Sequence, residues 1–255
     1  MNWDEPYGPL IGTTVRLLTW NVWGEYGPHA ERAERIAALV RELEPDVIAL
    51  QEWAGQATGL GHDHAATSSG EVPCAVLSRW PVTRQEERSL PGGAMPGSAL
   101  FCELAGPRGP LQVFSVILGP FRLDESALRQ EQVRALSAFV AETASRRHPA
   151  VVCGDFNAPP DSDEIRMLTG RSAPAVPGVV FYDSWEVAGA GGPGHTWSNA
   201  NPWARPGLYP DRRFDYVLSA WPRAGGAGHP VRCEVVGDGP EPASDHYAVL
   251  AELRY

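Results

Sequence analysis

The chain of 255 residues contains no lysine, so all 21 basic residues are arginine. They stand against 31 acidic residues, which gives a formal net charge of −10, and no run of basic residues is longer than two. Proteins that bind duplex nucleic acid by neutralising its phosphates carry clusters of lysine and arginine. We therefore expect a small-molecule substrate rather than nucleic acid as the partner of this protein.

Long apolar runs and cysteine motifs are also missing. No uninterrupted apolar stretch is long enough to cross a bilayer, and no apolar segment follows a basic start, so we expect a cytoplasmic protein with no membrane partner. The four cysteines form no CxxC motif and lie in mostly apolar stretches. Buried free thiols are the interpretation that this setting favours, with a disulfide pair as the alternative.

Apolar periodicity divides the chain into many strands and a few helices. It predicts helices over residues 30–43, 124–147 and 162–168. It predicts strands over residues 14–22, 46–51, 74–78, 83–89, 99–103, 111–117, 151–153, 214–219, 231–236 and 247–253. Polar, glycine-rich stretches at 53–71 and 189–210 indicate loops. This mixture predicts an α/β layered sandwich, and the 43% of apolar residues predicts one domain over residues 1–255, which we expect to be a monomer.

The stretch VVCGDFNAPPDSDE, residues 151–164, carries the pattern that most strongly suggests chemistry. A buried strand leads to Gly154, where the backbone can turn sharply, and Asp155 and Asn157 follow two residues apart. In an extended segment such side chains point the same way. A carboxylate beside an amide suits Mg²⁺ and phosphate-like oxygens better than it suits packing.

Four other apolar segments also carry a polar residue at or near one end. VRLLTWN ends at Asn21, DVIALQE ends at Glu52, RFDYVLS contains Asp215, and SDHYAVLAEL contains Asp245 and His246. An acidic side chain that faces a core is costly unless it is paired or bound to a metal. We therefore predict that these side chains and those of the GDFN segment converge on one oxygen-rich site.

Together, six motifs resemble those of the endonuclease/exonuclease/phosphatase superfamily over residues 15–253. The motifs are TWNVWG, DVIALQE, AVLSRWPV, GDFNAPPDS, RFDYVL and SDHYAV, in the family's order. The resemblance implies a deoxyribonuclease-like four-layer α/β sandwich, with two packed, mostly antiparallel sheets flanked by helices. It also implies a cleft at one edge of the sheets and a Mg²⁺ or Mn²⁺ cofactor.

The resemblance implies a metal side of the cleft. Glu52 matches the principal Mg²⁺ ligand of the family, Asn21 lies beside it, and Asp245 assists the metal region.

The resemblance also implies a catalytic side. Asp155 matches the residue that orients or deprotonates the attacking water, and Asn157 matches a contact to the phosphoryl oxygen. His246 would face the scissile group, with its imidazole held by Asp215, because a carboxylate can fix the tautomer of a histidine.

One residue departs from the family pattern. The strand before the long helix usually ends in a His that helps to bind the phosphoryl group, but here Ile117 occupies that place. Loss of a donor to a developing oxyanion typically costs on the order of a hundredfold in rate. Ile117 is therefore expected to form an apolar wall of the substrate pocket.

Other candidate residues have both a functional and a structural interpretation. His62 and His64 either form a metal pair, or restore the missing imidazole, or are solvent-exposed loop histidines. His195 and Trp197, in GHTWSN, are candidates for substrate contact in a loop over the site. The alternatives are a turn-stabilising role for His195 and plain packing for Trp197.

These features support three hypotheses about function. The first is a Mg²⁺-dependent phosphoesterase-like hydrolase that acts on a small phosphorylated metabolite or a phosphodiester. The second keeps the metal as a Lewis acid beside the Ile117 wall, for a non-hydrolytic dehydration, cyclisation or addition. The third is a relative that binds a ligand without catalysis.

Overall fold

The computed structural model describes residues 5–53, 55, 59–92, 96–119 and 122–255, apart from the side chain of Leu123. In this part of the chain, two six-stranded sheets pack face to face and helices cover their outer faces. The predicted four-layer α/β sandwich is therefore confirmed.

The first sheet is formed by the two ends of the chain and its first third. Its strands are β1 (Thr14–Asn21), β2 (Val47–Gln51), β3 (His64–Thr67), β4 (Cys74–Ser78), β11 (Pro230–Val236) and β12 (Ala248–Arg254). Their order is β11-β12-β1-β2-β4-β3, with only β1 and β2 parallel. Helix α1 (His29–Leu43) connects that parallel pair and packs Ile36 and Val40 on the outer face of the sheet.

The second sheet is formed by the middle of the chain. Its strands are β5 (Val82–Ser89), β6 (Ser98–Gly106), β7 (Gly109–Ile117), β8 (Ala150–Asp155), β9 (Phe181–Asp183) and β10 (Asp215–Ala220). Their order is β5-β6-β7-β8-β10-β9, with only β7 and β8 parallel. Helix α2 (Ser126–Thr143) connects that pair, and α3 (Asp163–Leu168) joins it on the outer face.

Alternation along the strands divides the core into layers. In β1, Leu17 faces the second sheet whereas Leu18 and Trp20 face the layer of α1. Every residue of β2 and β4 is buried, because both faces of these central strands are covered. The four cysteines are buried and unpaired, which agrees with the expected free thiols.

Short elements account for the differences from the predicted pattern. Strand β3 lies inside the predicted loop 53–71, of which residues 54 and 56–58 fall outside the described part. β9 and α4 (Ser184–Ala188) were not predicted, because three and five residues are too few to show a period. The predicted helix 124–147 ends at Thr143 and is preceded by a 3₁₀ turn at Leu123–Glu125. None of the described helices combines the length and apolarity that a bilayer span requires.

Strand direction determines where the polar strand ends meet. Because β1 and β2 are parallel, Asn21 and Glu52 emerge at the same edge of the first sheet. In the second sheet Asp155 ends β8 and Asp215 begins the antiparallel β10, so the two residues are in register. The segment before β12 brings Asp245 to the same edge of the molecule.

Candidate active site

Gly154 lies within β8, directly before Asp155, and pairs with β7 and β10, so the turn predicted at this residue is not formed there. Its φ is 147°, and a Cβ at this position would lie 1.8 Å from the carbonyl oxygen of Val116. Only glycine allows this approach of β8 to β7. After β8 ends at Asp155, the backbone amide of Asn157 donates to Oδ1 of Asp155 at 2.8 Å, and the Asn157 side chain donates to the carbonyl of Leu118 at 3.1 Å.

Asn21 connects the two sheets at the site. Its Nδ2 donates to Oε1 of Glu52 at 2.9 Å and to Oδ2 of Asp155 at 3.0 Å. Its Oδ1 accepts a hydrogen bond from the backbone amide of Trp23 at 2.9 Å. Asn21 is 2% exposed and Asp155 is 1% exposed, so the bond between these two forms out of contact with bulk water. The predicted metal side and the predicted catalytic side are thus joined by one amide.

His246 lies between two aspartates. Its Nδ1 is 2.8 Å from Oδ2 of Asp215, and its Nε2 is 3.9 Å from Oδ2 of Asp155. Asp215 is held in turn, because its backbone amide donates to Oγ1 of Thr196 at 3.2 Å. The edge of the Trp197 ring packs on the imidazole, with ring centroids 5.1 Å apart. The imidazole is therefore fixed from three sides.

Burial and neighbouring charges shift the pKa values of these groups. Burial raises the pKa of Asp155 to about 7, in spite of the opposing attraction of His246. Burial, together with the nearby Glu52 carboxylate, raises the pKa of Asp245 to about 6 against the opposing attraction of His246. Burial alone would lower the pKa of His246, but the charges of Asp215 and Asp155 raise it well above its ordinary value. Such a cluster of shifted groups in a cleft is typical of functional sites.

A cleft of about 600 Å³ opens over these side chains. Its walls include five predicted site residues, namely Glu52, Asp155, Asn157, Asp245 and His246. Ile117 and Trp197 also line it, as predicted for residues that contact substrate. Ile117 is in register with Asp155 on the neighbouring parallel strand, so an apolar side chain lies directly beside the buried carboxylate.

His195 does not line this cleft, and it lies apart from the site, whereas Asn21 and Asp215 bond to residues of the cleft wall. It lies in a second cleft with Trp185, Glu234 and Asp238, where its Nδ1 is 3.9 Å from Oδ2 of Asp211. The backbone amides of Thr196 and Trp197 both donate to the carbonyl of Arg212, and this irregular pairing breaks the strict alternation that would place His195 and Trp197 on one face. The prediction for His195 is therefore corrected, because its side chain lies in the second cleft whereas Trp197 lines the first.

His62 and His64 likewise do not line this cleft. Each ring nitrogen of His62 lies within hydrogen-bond distance of a backbone carbonyl, Nδ1 2.8 Å from that of Leu60 and Nε2 2.9 Å from that of Pro45. His64 begins β3 at the edge of the first sheet, opposite Ser78. Neither takes the place of the imidazole that Ile117 replaces.

Sequence reasoning missed several residues that complete the site. Ser244 donates to the carbonyl of Asn21 at 2.7 Å and lies 3.2 Å from Oδ1 of Asp245, so it ties the last motif to the first. Its position directly before Asp245 in the SDH motif was the available signal. Trp23 and Tyr26 line the mouth of the cleft, and no periodicity marks them because they lie in a turn.

The donor set of the cleft suits a hard divalent cation. Glu52 and Asp245 both line the cleft and present carboxylate oxygens, which Mg²⁺ and Mn²⁺ prefer. A second group in the described residues, Asp155, Asp215 and His246, has donor atoms within 4.8 Å of one another. Its imidazole already uses Nδ1 for Asp215, which leaves Nε2 as the free ring nitrogen.

Comparison with protein families gives the same assignment as the motifs. Residues 18–246 match the endonuclease/exonuclease/phosphatase family, a span that includes every predicted site residue from Asn21 to His246. The chain belongs to this family. The resemblance stated from the sequence motifs is therefore confirmed. No curated protein matches the chain.

Solved structures of this family share the fold at low sequence identity. The C. elegans TDP2 structure superposes with a TM-score of 0.77 at 17% identity, covering 96% of this chain and 76% of that one. D. rerio TDP2 complexed with single strand DNA product gives a TM-score of 0.79 at 18% identity, covering 95% and 100%. An endonuclease/exonuclease/phosphatase from Beutenbergia cavernae DSM 12333 gives 0.70 at 23% identity, covering 94% and 71%.

These neighbours contradict one expectation from the sequence. Our preference for a small-molecule substrate over nucleic acid was wrong, because D. rerio TDP2 holds a single strand DNA product on this fold. The net charge of −10 describes the whole surface, whereas a short single strand contacts only one cleft. Stacking of the bases and a bound cation can hold a single strand in such a cleft, and the net charge of the whole chain measures neither.

Proposed function

We propose that this protein is a Mg²⁺- or Mn²⁺-dependent phosphodiesterase that acts on single-stranded nucleic acid. The observation that carries the proposal is the side chain of Asn21, which bonds to both Glu52 and Asp155 and so joins the metal side of the cleft to its catalytic side. The family match supports metal-dependent phosphoester chemistry, and the DNA product in D. rerio TDP2 supports the substrate class.

Glu52 and Asp245 would hold the cation. When bound, the ion supplies positive charge to the phosphoryl oxygens as negative charge develops on them. The Nδ2 atom of Asn21 faces the carboxylates, so we assign Asn21 the role of orienting Glu52 and Asp155. Ser244, which bonds to the backbone of Asn21 and to Asp245, holds the two sides of the ion site together.

Asp155 would take a proton from the attacking water. Burial raises its pKa to about 7, which makes this carboxylate a stronger base than an exposed aspartate. The Asn157 amide fixes Oδ1, so Oδ2 is the oxygen shared with Asn21 and nearest to His246. A base held in one orientation avoids part of the entropic cost of reaching the transition state.

His246 would donate through Nε2 to an oxygen of the transferring phosphoryl group. Its Nδ1 bonds to Asp215 at 2.8 Å, and this carboxylate keeps the imidazole oriented and stabilises its charged form. Because Ile117 cannot donate, His246 has a larger share of the stabilisation here than it would have beside a second histidine.

The walls of the cleft favour a substrate that carries a base. Trp23, Tyr26 and Trp197 line it, and Tyr26 is 64% exposed, so its ring is available for contact. Every nucleobase has a π face, and stacking on aromatic side chains holds single strands without reading their sequence. The apolar Ile117 and Val72 add a surface without competing polar groups.

The test uses a labelled single-stranded oligonucleotide and a p-nitrophenyl phosphodiester with Mg²⁺ or Mn²⁺. Wild-type protein should cleave them, and Asp155→Asn should lower kcat by about a thousandfold or more, since it removes the base and keeps the shape. Asp124→Asn, at an exposed carboxylate in an ion pair with Arg122, is the control and should leave the rate unchanged. Equal inactivity of all three proteins on both substrates would overturn the proposal.

A further inference from the structure

Arg32 is a buried arginine whose hydrogen bonds, in the described part of the chain, all go to backbone carbonyls. It is the fourth residue of α1, and 1% of it is exposed. Its guanidinium donates to five carbonyl oxygens at 2.8 to 3.1 Å, namely those of Val22, Trp23, Gly24, Tyr26 and Ala243. A buried charge is costly unless its donors are satisfied, so the surrounding backbone has to keep this arrangement.

The five carbonyls belong to two segments that both carry site residues. Four lie in residues 22–26, the turn that leaves Asn21 at the end of β1. The fifth belongs to Ala243, which directly precedes Ser244, Asp245 and His246. Nη1 donates to Val22 at 2.8 Å and to Ala243 at 2.9 Å, so one nitrogen joins segments that are about two hundred residues apart in the chain.

The turn that Arg32 holds has an unusual backbone conformation. Trp23 has a φ of 58°, in the left-handed region that a bulky residue rarely adopts, and Gly24 follows with a φ of 43°. Such a conformation persists only where surrounding contacts enforce it. The guanidinium carbon of Arg32 lies 5.0 Å from the centroid of the Trp23 ring, so it supports both the backbone and the side chain of this residue.

We propose that Arg32 is a positioning residue that fixes the Asn21 turn against the Asp245–His246 segment and so keeps the two sides of the cleft in one geometry. It touches neither the reacting atoms nor the cation, and its effect passes through the carbonyls that it holds. The proposal rests on the proposed function in one respect, which is that Glu52 and Asp245 bind the cation.

The direction in which Mn²⁺ affinity changes when Arg32 is replaced distinguishes a positioning role from a simple charge effect. Arg32 lies close enough to Glu52 and Asp245 for their charges to act on it. A positive charge there opposes cation binding, so a residue that acted only by charge would, when neutralised, tighten the binding of Mn²⁺. A residue that positions the ligands would, when removed, weaken it, by about 10- to 100-fold if it behaves as an outer-sphere partner of a metal site.

The experiment compares Arg32→Met, Arg32→Lys and Ile36→Ala with the wild type. Ile36 lies one turn further along α1, is buried against the same sheet and bonds to none of these carbonyls through its side chain, so it reports the loss of helix packing alone. Hydrogen exchange of the backbone amides in residues 22–27 and 243–247 is measured without metal. Mn²⁺ affinity is then measured by calorimetry with the metal alone.

Both Arg32 variants should exchange at least about tenfold faster in both segments, because lysine keeps the charge but lacks the planar fork of donors. Ile36→Ala should leave these amides within about twofold of the wild type, and Mn²⁺ binding should weaken only in the Arg32 variants. If Arg32→Met does not fold, Arg32→Lys decides the question alone.

Unchanged exchange in residues 243–247, or equal acceleration in Ile36→Ala, would overturn the positioning role. Tighter Mn²⁺ binding by Arg32→Met would assign a charge role instead. Failure of the wild type to bind Mn²⁺ would contradict the proposed function, while the exchange measurement would still decide the role of Arg32.

Discussion

Two histidine–aspartate pairs each place their histidine in the wall of a cleft, and the two clefts are of similar size, about 600 and 630 Å³. Only one of the pairs is buried and joined by a hydrogen bond. The side chains of His246 and Asp215 are 6% and 0% exposed, and their atoms are 2.8 Å apart. Those of His195 and Asp211 are 35% and 39% exposed, and their atoms are 3.9 Å apart. Residue type and cleft volume are alike, so neither distinguishes the two.

The difference lies in what surrounds each pair. Around His246 the low exposure to water strengthens the interactions between charged groups. The charges of Asp215 and Asp155 together raise the pKa of the imidazole. Asp211 instead bonds to the exposed Asn199 and to Ser198, and these bonds lower its pKa, as is common for a carboxylate that organises a turn. The comparison teaches that burial with mutual bonding, more than the presence of titratable groups, marks the site.

The largest difference between the two clefts is expected when a glutamate in each is replaced and the Mn²⁺ requirement of the activity is measured. Glu52→Gln in the first cleft removes a carboxylate proposed to bind the cation. The Mn²⁺ concentration for half-maximal activity should therefore rise by about a hundredfold or more, which exceeds the effect of losing an outer-sphere partner. Glu234→Gln in the second cleft should leave that concentration within about twofold. Titration of activity with Mn²⁺ checks both, and a matched effect of the two variants would contradict the assignment of the first cleft.

A gain of function is expected at the apolar wall. Ile117→His places a donor beside Asp155 and should raise kcat on a phosphodiester by about tenfold or more, because donors to a developing oxyanion are worth about a hundredfold. Ile117→Leu keeps the wall apolar and should leave kcat unchanged. Steady-state kinetics of the two variants decides the point. No gain from histidine would mean that this wall does not face the transferring group.

A smaller effect is expected at the mouth of the first cleft. Tyr26→Ala removes an exposed ring, and loss of one stacked base should raise KM for an oligonucleotide by about tenfold while kcat changes little. KM for a p-nitrophenyl ester without a base should not change. Trp221→Ala, at another exposed ring, is the control. Equal KM values for wild type and Tyr26→Ala would show that no base stacks there.

The smallest effect is expected from the second cleft. His195→Ala should change kcat and KM by less than about twofold, because the side chain lies outside the first cleft and its only close acidic partner, among the described residues, is the half-exposed Asp211. The same assays on ester and oligonucleotide measure it. A large loss of activity would bring the second cleft into the reaction and break the contrast between the two pairs.

The sequence motifs predicted the site better than they predicted its surroundings. Asn21, Glu52 and Asp155 were found because each follows a strongly apolar strand, and such strands are visible as patterns. His195 was misplaced because the sequence does not show the irregular backbone pairing at Thr196 and Trp197, which separates His195 from the face that Trp197 presents to the site. Arg32 was missed because an arginine in a helix is typical of a solvated face, and only the distant Ala243 and the Asn21 turn bury it.

The sequence by itself determined which residues end the strands, and with them the family and the α/β class, because periodicity and turn residues act locally. Only the tertiary structure decided that Asn21 bonds to Glu52 and Asp155 at once, that Ile117 lies beside the buried carboxylate, and that Arg32 joins two remote segments. These contacts depend on how two sheets pack and which strands run parallel. Strand pairing at long range is fixed by the whole core, so no single segment of the chain encodes it.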